Sequence, residues 1–544
     1  MNIRPEIKIM LDDYYYQIHV NDFSSFIRSD FRDDQLFDLS EERANKNKEI
    51  SNAALIQINS VKDLADISFA ERIILDIAAD FFQYIIRNAR NYWYKFDITH
   101  NTTPLPYVIK KLENYSFNNS NDQDYYLMLL NQFPMKLNLM IAKLQEQEKR
   151  GILLPAEQVQ ICISLIKSLI QKEDSKLKPW LRSNVKLDFS ARYRLNIEEA
   201  ITDLNLSLKY ILDFLSYSYN QTKREVAPGL CNIRGGLDYY YDQILTYTSY
   251  PESANNLHEI GLRELRKTKD TMQAIIHALG FDMDLISFNQ YLETERLYFD
   301  NSAQQLQARY DQILEKIKPR MNRYFIRHPK AGCRSQAMPK ESESTTSWGY
   351  YSVPIGDEKE GVFYFSAAEL SERSQIRTAA IVSHELLPGH HFQMNLIAED
   401  MSLPAISREH FNTAFADGWA EYAADLANEM GVYSLFDLYG RYIWDLVLCS
   451  RLVVDTGLNA LHWSIEEARE FMRKHTFLTE REIFTETMRY SVDMPGQALA
   501  YKYGSLKMRE FRTKAESNLD SNFDIKQYHD HLLRYGSIPL NIAE

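Results

Sequence analysis

The residues best suited to chemistry are three histidines and a glutamate that fall within one short segment. It reads His384-Glu385-Leu386-Leu387-Pro388-Gly389-His390-His391. Imidazole nitrogens are common zinc ligands, and a carboxylate beside a ligand can take a proton from a zinc-activated water. Solvated surface histidines seldom cluster in this way. The segment therefore predicts the catalytic centre of a zinc-dependent hydrolase of the zincin type.

The spacing of these histidines departs from the HExxH arrangement, in which two histidines one helical turn apart meet the same ion. Pro388 occupies the position one turn after His384. Proline lacks the N–H that would bond to the His384 carbonyl, so the helix must kink or bulge there. A two-residue bulge would bring His390 to the ligand position, whereas an undistorted helix would return His391 to that face. We favour His390 and keep His391 as the alternative.

A third metal ligand is expected on a second helix. Asp417 and Glu421 lie one helical turn apart in the segment Phe415–Asp425, among alanines that allow helices to approach closely. We expect Asp417 to be the ligand and Glu421 to accept a hydrogen bond from a ligand histidine, with the two roles open to exchange. Zinc is the expected ion, although manganese, cobalt and iron also accept histidine and carboxylate ligands.

The elements that position the motif can be read from its surroundings. Residues 371–387 contain neither glycine nor proline and begin with Ser371, which suits a helix N-cap. The motif residues His384 and Glu385 should therefore lie on a helix. Just before it, Gly361–Ser366 has the composition of a short strand, and an exposed edge there would pair with an extended peptide. This predicts a small sheet beside the metal-site helix and favours a peptide substrate.

Most of the remaining chain has the apolar periodicity of long helices. Over about residues 60–220 apolar side chains recur at helical spacing, as in Ile73–Ile85 and Leu204–Leu215, and glycine is almost absent. The predicted fold is therefore mainly α, a two-lobed, helical, zincin-like fold.

A change in composition suggests where the two lobes meet. Turn-forming residues at Val226–Gly229 and at Gly235-Gly236 interrupt the helical pattern. We place an N-terminal helical subdomain over residues 1–225 and a metal-site subdomain over residues 226–544, with a cleft between them.

Composition argues against several classes of partner. The 62 Lys and Arg residues are outnumbered by 75 Asp and Glu residues, for a net charge of −13, and basic residues are nowhere concentrated. Nucleic acid is therefore not an expected partner. Because no run of about 18 apolar residues occurs, no membrane-spanning helix is expected.

The N-terminal residues and the cysteines bear on the compartment. The segment Met1–Glu6 is followed by Asp12–Tyr16 in place of an apolar leader core, so we expect no signal peptide. The four cysteines lie far apart without a CxxC pair, which argues against a disulfide framework and fits a reduced compartment. The expected location is cytoplasmic.

Several blocks of sequence occur in the same order in one known family. They are His384–Gln393, Asp417–Ala420, Arg451–Leu458, Arg489-Tyr490 with Pro495–Gly504, and Tyr528–Asp530. In these blocks the chain resembles a large, mostly bacterial family known as domain of unknown function 885, which is related in pattern to helical metallopeptidases of the gluzincin type. The resemblance runs from about residue 225 to the C-terminus and more faintly over the N-terminal half. It implies a peptidase role that is itself inferred from the metal motif.

The chain departs from the family pattern at three positions. Asp417 stands where the family usually has Glu, so its carboxylate oxygens fall about one methylene short. Asn459 stands where His is common, and Ala424 where Glu is common. Two interpretations follow: Glu421 compensates for the shorter acid, or the site binds metal weakly.

Together these features predict hydrolysis of amide bonds in short peptides, with Glu385 as general base. Tyr490 or Tyr501 would donate a hydrogen bond to the carbonyl oxygen as negative charge develops on it. Arg489 or Lys502, which are near them in sequence, could assist. The altered family positions motivate a first alternative, a specialised amide hydrolase or acyl-transfer enzyme acting on a small peptide-like metabolite. A peptide-binding relative with impaired catalysis is the second. Endo or exo cleavage and oligomeric state are left open.

Overall fold

Helices form most of the structure, as the apolar periodicity predicted. The computed structural model describes residues 3–19, 36–99, 103–170, 174–219, 227–338, 349–354 and 358–544. The α-helices in chain order are α1 (Pro5–His19), α2 (Glu41–Lys62), α3 (Phe69–Arg90), α4 (Leu105–Glu113), α5 (Asn121–Lys149), α6 (Ala156–Ile170), α7 (Ala191–Asp213), α8 (Gly236–Thr248), α9 (Ala254–Ala278), α10 (Leu285–Thr294), α11 (Ala303–Ile317), α12 (Thr378–Glu385), α13 (His390–Ala398), α14 (Ala405–Glu409), α15 (Thr413–Glu429), α16 (Leu435–Ala460), α17 (Ile465–His475), α18 (Glu480–Met488), α19 (Leu499–Leu519), α20 (Ile525–Leu533) and α21 (Leu540–Ala543).

Helix α3 shows why these segments are helical. Ser68 caps its first turn, and the side chain of Glu71 bonds back to the Ser68 backbone, so two otherwise unpaired N–H groups are satisfied. The apolar residues recur at helical spacing, and Ile74, Ile77 and Phe81 on that face are buried. The periodic segments Ile73–Ile85 and Leu204–Leu215 are thereby confirmed as helical, apart from the last residues of the second, which continue as a π-helical turn after α7.

The small sheet has three strands in the order β1-β3-β2, namely β1 (Gly332–Ala337), β2 (Gly349–Ser352) and β3 (Glu360–Phe365). β1 runs parallel to β3, and β2 runs antiparallel to it. The predicted strand at Gly361–Ser366 is confirmed as β3. Its expected role as an exposed edge is wrong, because β1 and β2 occupy the hydrogen-bonding groups on both of its sides.

Two large apolar clusters hold the helices together. One includes Leu11 and Ile74 from the N-terminal helices together with Val382 and Trp419 near the metal motif. The second, around Phe133, is built mainly from residues between 36 and 219. The mainly α fold with a small sheet beside the metal-site helix is confirmed.

The predicted subdomain boundary and its neighbouring turn have different outcomes. The boundary between residues 225 and 226 falls within residues 220–226, which lie outside the described residues, so it remains a prediction. The nearby turn is present, because Gly235 has a left-handed conformation and precedes α8.

Two further expectations concern membrane spans and cysteines. Among the described helices, none has the length and apolar character needed to cross a membrane. The four cysteines, Cys162, Cys231, Cys333 and Cys449, are all free thiols.

Candidate metal centre

The helix that carries the first part of the motif is shorter than predicted. α12 begins at Thr378 and not near Ser371. The chain before it is bonded elsewhere, since the N–H of Gln375 donates to the carbonyl of Tyr298 at 2.6 Å. The motif residues nevertheless lie in the last turn of a helix, as expected.

The helix is interrupted around Pro388 and does not continue through a bulge. α12 ends, and α13 begins afresh at His390. Gly389 crosses so close to the end of α12 that a Cβ there would lie 1.8 Å from the carbonyl oxygen of His384. Trp419 fixes the crossing, because its indole N–H donates to the carbonyl of Pro388 at 3.0 Å. The break thus returns His390 to the first histidine by a route that only glycine permits.

His384, His390 and Asp417 come together as a group of three potential metal ligands, with one ligand atom from each within 4.8 Å of the others. Nε2 of His390 lies 3.3 Å from Oδ1 of Asp417. Two ligands at about 2.0–2.1 Å from one tetrahedral zinc are separated by about 3.3 Å. His390 is 8% exposed and Asp417 5%. The His384 side chain is 12% exposed, so the group is largely but not completely buried.

The chemistry of this group fits a divalent metal. Two imidazoles and one carboxylate match the ligands of catalytic zinc sites that keep one position open for water or substrate. The rings of His384 and His390 are nearly perpendicular, at 86°, with centroids 4.7 Å apart. Nδ1 of His390 is buried and has no hydrogen-bond partner among the described residues. The same ligands suit manganese, cobalt and iron, so the geometry does not select the ion.

Glu421 lies behind His384. Its Oε1 is 3.0 Å from Nδ1 of His384 and accepts a hydrogen bond from the indole of Trp444 at 2.8 Å. Arg441 lies 3.0 Å from the other carboxylate oxygen. Burial alone would raise the pKa of Glu421, but Arg441 and His384 outweigh it and lower the pKa to about 2. This geometry matches the expected orienting role, in which Glu421 fixes the ring and leaves Nε2 for a metal.

Glu385 occupies the last position of α12, next to His384 in the chain. Its side chain is only partly buried. Within the described part of the chain its carboxylate has no hydrogen bond or ion pair. An ionisable group beside potential metal ligands, with no structural partner, is available for proton transfer.

The structure separates His391 from the metal group. Its Nδ1 lies 2.8 Å from the hydroxyl of Tyr351 in β2, and Asn395 contacts the same nitrogen at 3.2 Å. Burial lowers the pKa of His391 to about 4. The alternative that made His391 a ligand is therefore replaced by His390, because the new helix starts at His390 and turns the next side chain towards the sheet.

Tyr501 lies beside the candidate metal ligands, and Arg489 is linked to Tyr501 through Gln497. The ring of Tyr501 lies nearly parallel to that of His384, at 14°, with centroids 6.3 Å apart. Gln497 donates to the Tyr501 hydroxyl at 3.4 Å and accepts a hydrogen bond from Arg489. Burial and the nearby charge of Asp417 raise the pKa of Tyr501. The hydroxyl therefore stays protonated and able to donate.

Tyr490 and Lys502 are bonded elsewhere. The fully buried Tyr490 accepts a hydrogen bond from Arg451 at 3.0 Å. Lys502 places its ammonium 2.8 Å from both carboxylate oxygens of Asp445. The expectation that either would donate at the reacting centre is corrected, because their polar groups serve these buried contacts.

Helix α15 reaches the centre because glycine allows a close approach. A Cβ on Gly418 would lie 2.7 Å from the backbone carbon of Gly504 in α19. This contact sets Asp417 on one helix and Tyr501 on the other beside the same histidines. The small residues in both helices were the feature of the sequence that could have predicted this close approach.

Sequence reasoning missed the residues that hold the ligands in place. Trp419 bonds to Pro388, and Arg441 and Trp444 hold Glu421. Arg441 and Trp444 lie about one helical turn apart on α16 and therefore share one face of the helix. That spacing was the feature of the sequence that could have predicted their common role.

The unusual Asn459 has a structural role. It donates to the carbonyls of Asp455 and Tyr490, both at 3.0 Å, and accepts a hydrogen bond from the N–H of Leu230 at 3.1 Å. Its side chain therefore joins three segments. Ala424 is buried within α15.

Residues 24–544 match the family described as bacterial protein of unknown function DUF885, and the chain belongs to that family. The resemblance predicted from the sequence blocks is thereby confirmed. No curated protein matches the chain.

Solved structures share the fold along the whole chain. One, a "putative lipoprotein" from Colwellia psychrerythraea, is 21% identical with a TM-score of 0.87, covering 99% of this chain and 97% of its own. Another, described in the same words and as of unknown function, comes from Shewanella oneidensis and is 15% identical with a TM-score of 0.75, covering 100% and 99%. An M32 carboxypeptidase from Deinococcus radiodurans R1 aligns at a TM-score of 0.42 and 10% identity over 98% and 95%, which is too distant to support an inference.

The cytoplasmic location expected from the sequence is wrong in the light of these structures. The two proteins that share the fold along their full length are described as lipoproteins, a class anchored to a membrane. The expectation rested on the residues that follow Met1–Glu6 and on the four unpaired cysteines.

Proposed function

We propose that this member of the family is a metal-dependent hydrolase that cleaves amide bonds in short peptides, with zinc as its ion. The observation that supports the proposal is the group of His384, His390 and Asp417 with the unpaired Glu385 beside it. Two imidazoles, a carboxylate and a neighbouring base are what metal-assisted hydrolysis requires.

The residues of the chain have distinct roles in this reaction. When bound to His384, His390 and Asp417, a metal would polarise the substrate carbonyl and lower the pKa of the attacking water. The carboxylate of Glu385 accepts the proton of that water and delivers it to the leaving amine nitrogen. The Tyr501 hydroxyl donates to the carbonyl oxygen as negative charge develops there. These roles together split the amide bond without a covalent intermediate.

The dimensions of the site favour short, extended substrates. The three potential ligands are each 12% exposed or less, so a folded protein surface would not reach them. A flexible peptide can enter such a recess in an extended conformation. Glu385 beside these potential ligands is only partly buried, so its carboxylate remains accessible to a bound peptide.

A cleavage screen tests the proposal. Purified protein is stripped with a chelator, restored with zinc and incubated with a mixture of short peptides and a panel of N-acylated amides, and products are identified by mass spectrometry. Glu385→Gln, which keeps the side-chain size, is the matched control. Peptide cleavage that needs zinc and is lost in the control supports the proposal.

Other outcomes of the screen would replace it. Cleavage of one unusual amide and no peptide would favour the specialised amide hydrolase. Peptide binding without turnover in zinc-loaded protein would favour the impaired peptide-binding relative.

A further inference from the structure

A cavity of about 360 Å³ lies beside the metal centre, between α1, α2, α3, α8 and the segment that leads into α15. Phe411 lines it, and its ring centroid lies 6.1 Å from that of His390. Asn412 and Thr413 also line it, and they begin the helix that carries Asp417. The volume falls in the range of small-molecule sites. The cavity therefore adjoins the metal centre through Phe411 and the first residues of α15.

Two opposite charges on α3 face this cavity and have no partner within the described residues. Asp80 and Arg87 both line it. They are about two helical turns apart, roughly 10 Å along the axis. Within the described ranges neither forms an ion pair or a side-chain hydrogen bond, and Nε of Arg87 is buried with no partner. The two charges interact electrostatically although their side chains are not in contact.

A third unpaired group lies in the same cavity. Oδ1 of Asn47, on α2, is buried and has no hydrogen-bond partner among the described residues. Among the lining groups that have no partner within the described residues, the cavity thus presents one strong donor, Arg87, and two acceptors, Asp80 and Asn47. Buried polar groups without partners are costly, and natural structures retain few of them. A ligand with a carboxylate and an ammonium group would satisfy all three.

The geometry of these groups also argues against a purely structural role. Charges that serve the fold elsewhere in this chain meet directly, as Lys143 and Asp97 do at 2.9 Å. Asp80 and Arg87 remain apart, with a ligand-sized space beside them. A guanidinium matches the two oxygens of a carboxylate, and a carboxylate accepts from an ammonium group.

We propose that this cavity binds a small zwitterion, with the ligand carboxylate on Arg87 and its ammonium group on Asp80 and Asn47. The ligand class is a short peptide with both termini free. The assignment of this peptide as a substrate rests on the proposed function, whereas its binding does not.

Binding of dialanine tests the proposal separately from catalysis. Full-length Glu385→Gln protein is titrated by calorimetry with dialanine, with N-acetyl-dialanine, which lacks the ammonium group, and with dialanine amide, which lacks the carboxylate. The same titrations are made after adding Arg87→Met or Asp80→Asn, with thermal unfolding as the check on folding. Arg87→Lys, which keeps the charge but not the planar fork, is a second variant.

The proposal predicts a charge-specific pattern. Blocking either terminus weakens binding about 10-fold or more, as expected when a hydrogen bond to a charged group is lost. Arg87→Met weakens dialanine by a similar factor but leaves dialanine amide unchanged, and Asp80→Asn leaves N-acetyl-dialanine unchanged. Arg87→Lys retains part of the affinity for dialanine.

Three results would overturn the proposal: no binding of dialanine at millimolar concentration, equal binding of all three peptides, or equal weakening of all three by either variant. The predicted pattern in a protein that shows no metal and no turnover would uphold the cavity and reject the proposed function.

Discussion

Two buried polar clusters of this protein differ in whether their bonding is complete. In the first, Asp445 receives the ammonium of Lys502 at 2.8 Å on both oxygens and the hydroxyl of Thr268 at 2.5 Å. In the metal candidate, Nδ1 of His390 and the carboxylate of Glu385 have no partners within the described residues. The bonding of the first cluster is complete, whereas the second leaves polar atoms available to a ligand.

The comparison separates structural from chemical uses of buried charge. A charge taken out of water is stabilised only by full pairing, which Lys502 and Asp445 achieve. Groups that stay unpaired near one another mark a place where a ligand completes the bonding. Substitutions in the metal candidate should therefore change its chemistry, whereas a substitution in the fully paired cluster should change stability.

The largest effect is expected from Glu385→Gln. Removing the base should lower kcat/KM for a cleaved peptide by about 10²–10⁴-fold, because proton transfer from the attacking water loses its acceptor. Metal content and thermal unfolding should match the wild type, since Glu385 has no structural partner in the described chain. Steady-state kinetics on the zinc-restored protein check the first point. Unchanged kcat/KM would rule out Glu385 as the base.

Lys502→Met should affect stability and leave metal binding intact. The substitution leaves the buried carboxylate of Asp445 without its ammonium partner. Burial alone would raise the pKa of Asp445, and Lys502 helps to lower it. The expected cost is about 3–5 kcal/mol in the free energy of unfolding. Urea unfolding followed by circular dichroism measures it. Loss of metal from protein that remains folded would show that the two clusters are coupled.

Glu421→Gln should have a smaller effect, on metal affinity. The amide keeps an oxygen for Trp444 but loses the charge that orients His384. Weakened orientation of a ligand typically raises the metal Kd about 10–100-fold. Competition with a zinc-binding dye measures it. Unfolding with chelator present separates this loss from any loss of pairing with Arg441. An unchanged Kd would contradict the orienting role.

Local chemistry explains what was predictable from the sequence. The histidine cluster and the one-turn spacing of Asp417 and Glu421 pointed to side chains that the structure brings together, and proline ruled out an ordinary HExxH helix. Those signals depend on neighbours in the chain. The preference for His390 over His391 depended on how the helix is interrupted at Pro388, and the local sequence did not reveal the close contact between Gly389 and the end of α12.

Long-range contacts explain what was missed. β3 was recognised as a strand from its composition, but β1 and β2 pair with both of its sides, and β1 comes from about 30 residues away in the chain. Asp80 and Arg87 lie some 300 residues before the histidines that their cavity adjoins. Nothing in the local pattern of α3 marks them, because a charge on a helix is most often solvated.

Metal content per chain tests the central claim most directly. Elemental analysis compares purified wild type, after incubation with zinc and removal of excess ion, with His384→Ala and Glu385→Gln. The account predicts close to one zinc per chain in wild type and in Glu385→Gln, and almost none in His384→Ala. Wild-type protein that binds no zinc, or His384→Ala protein that retains it, would contradict the assignment of His384, His390 and Asp417 as a metal site.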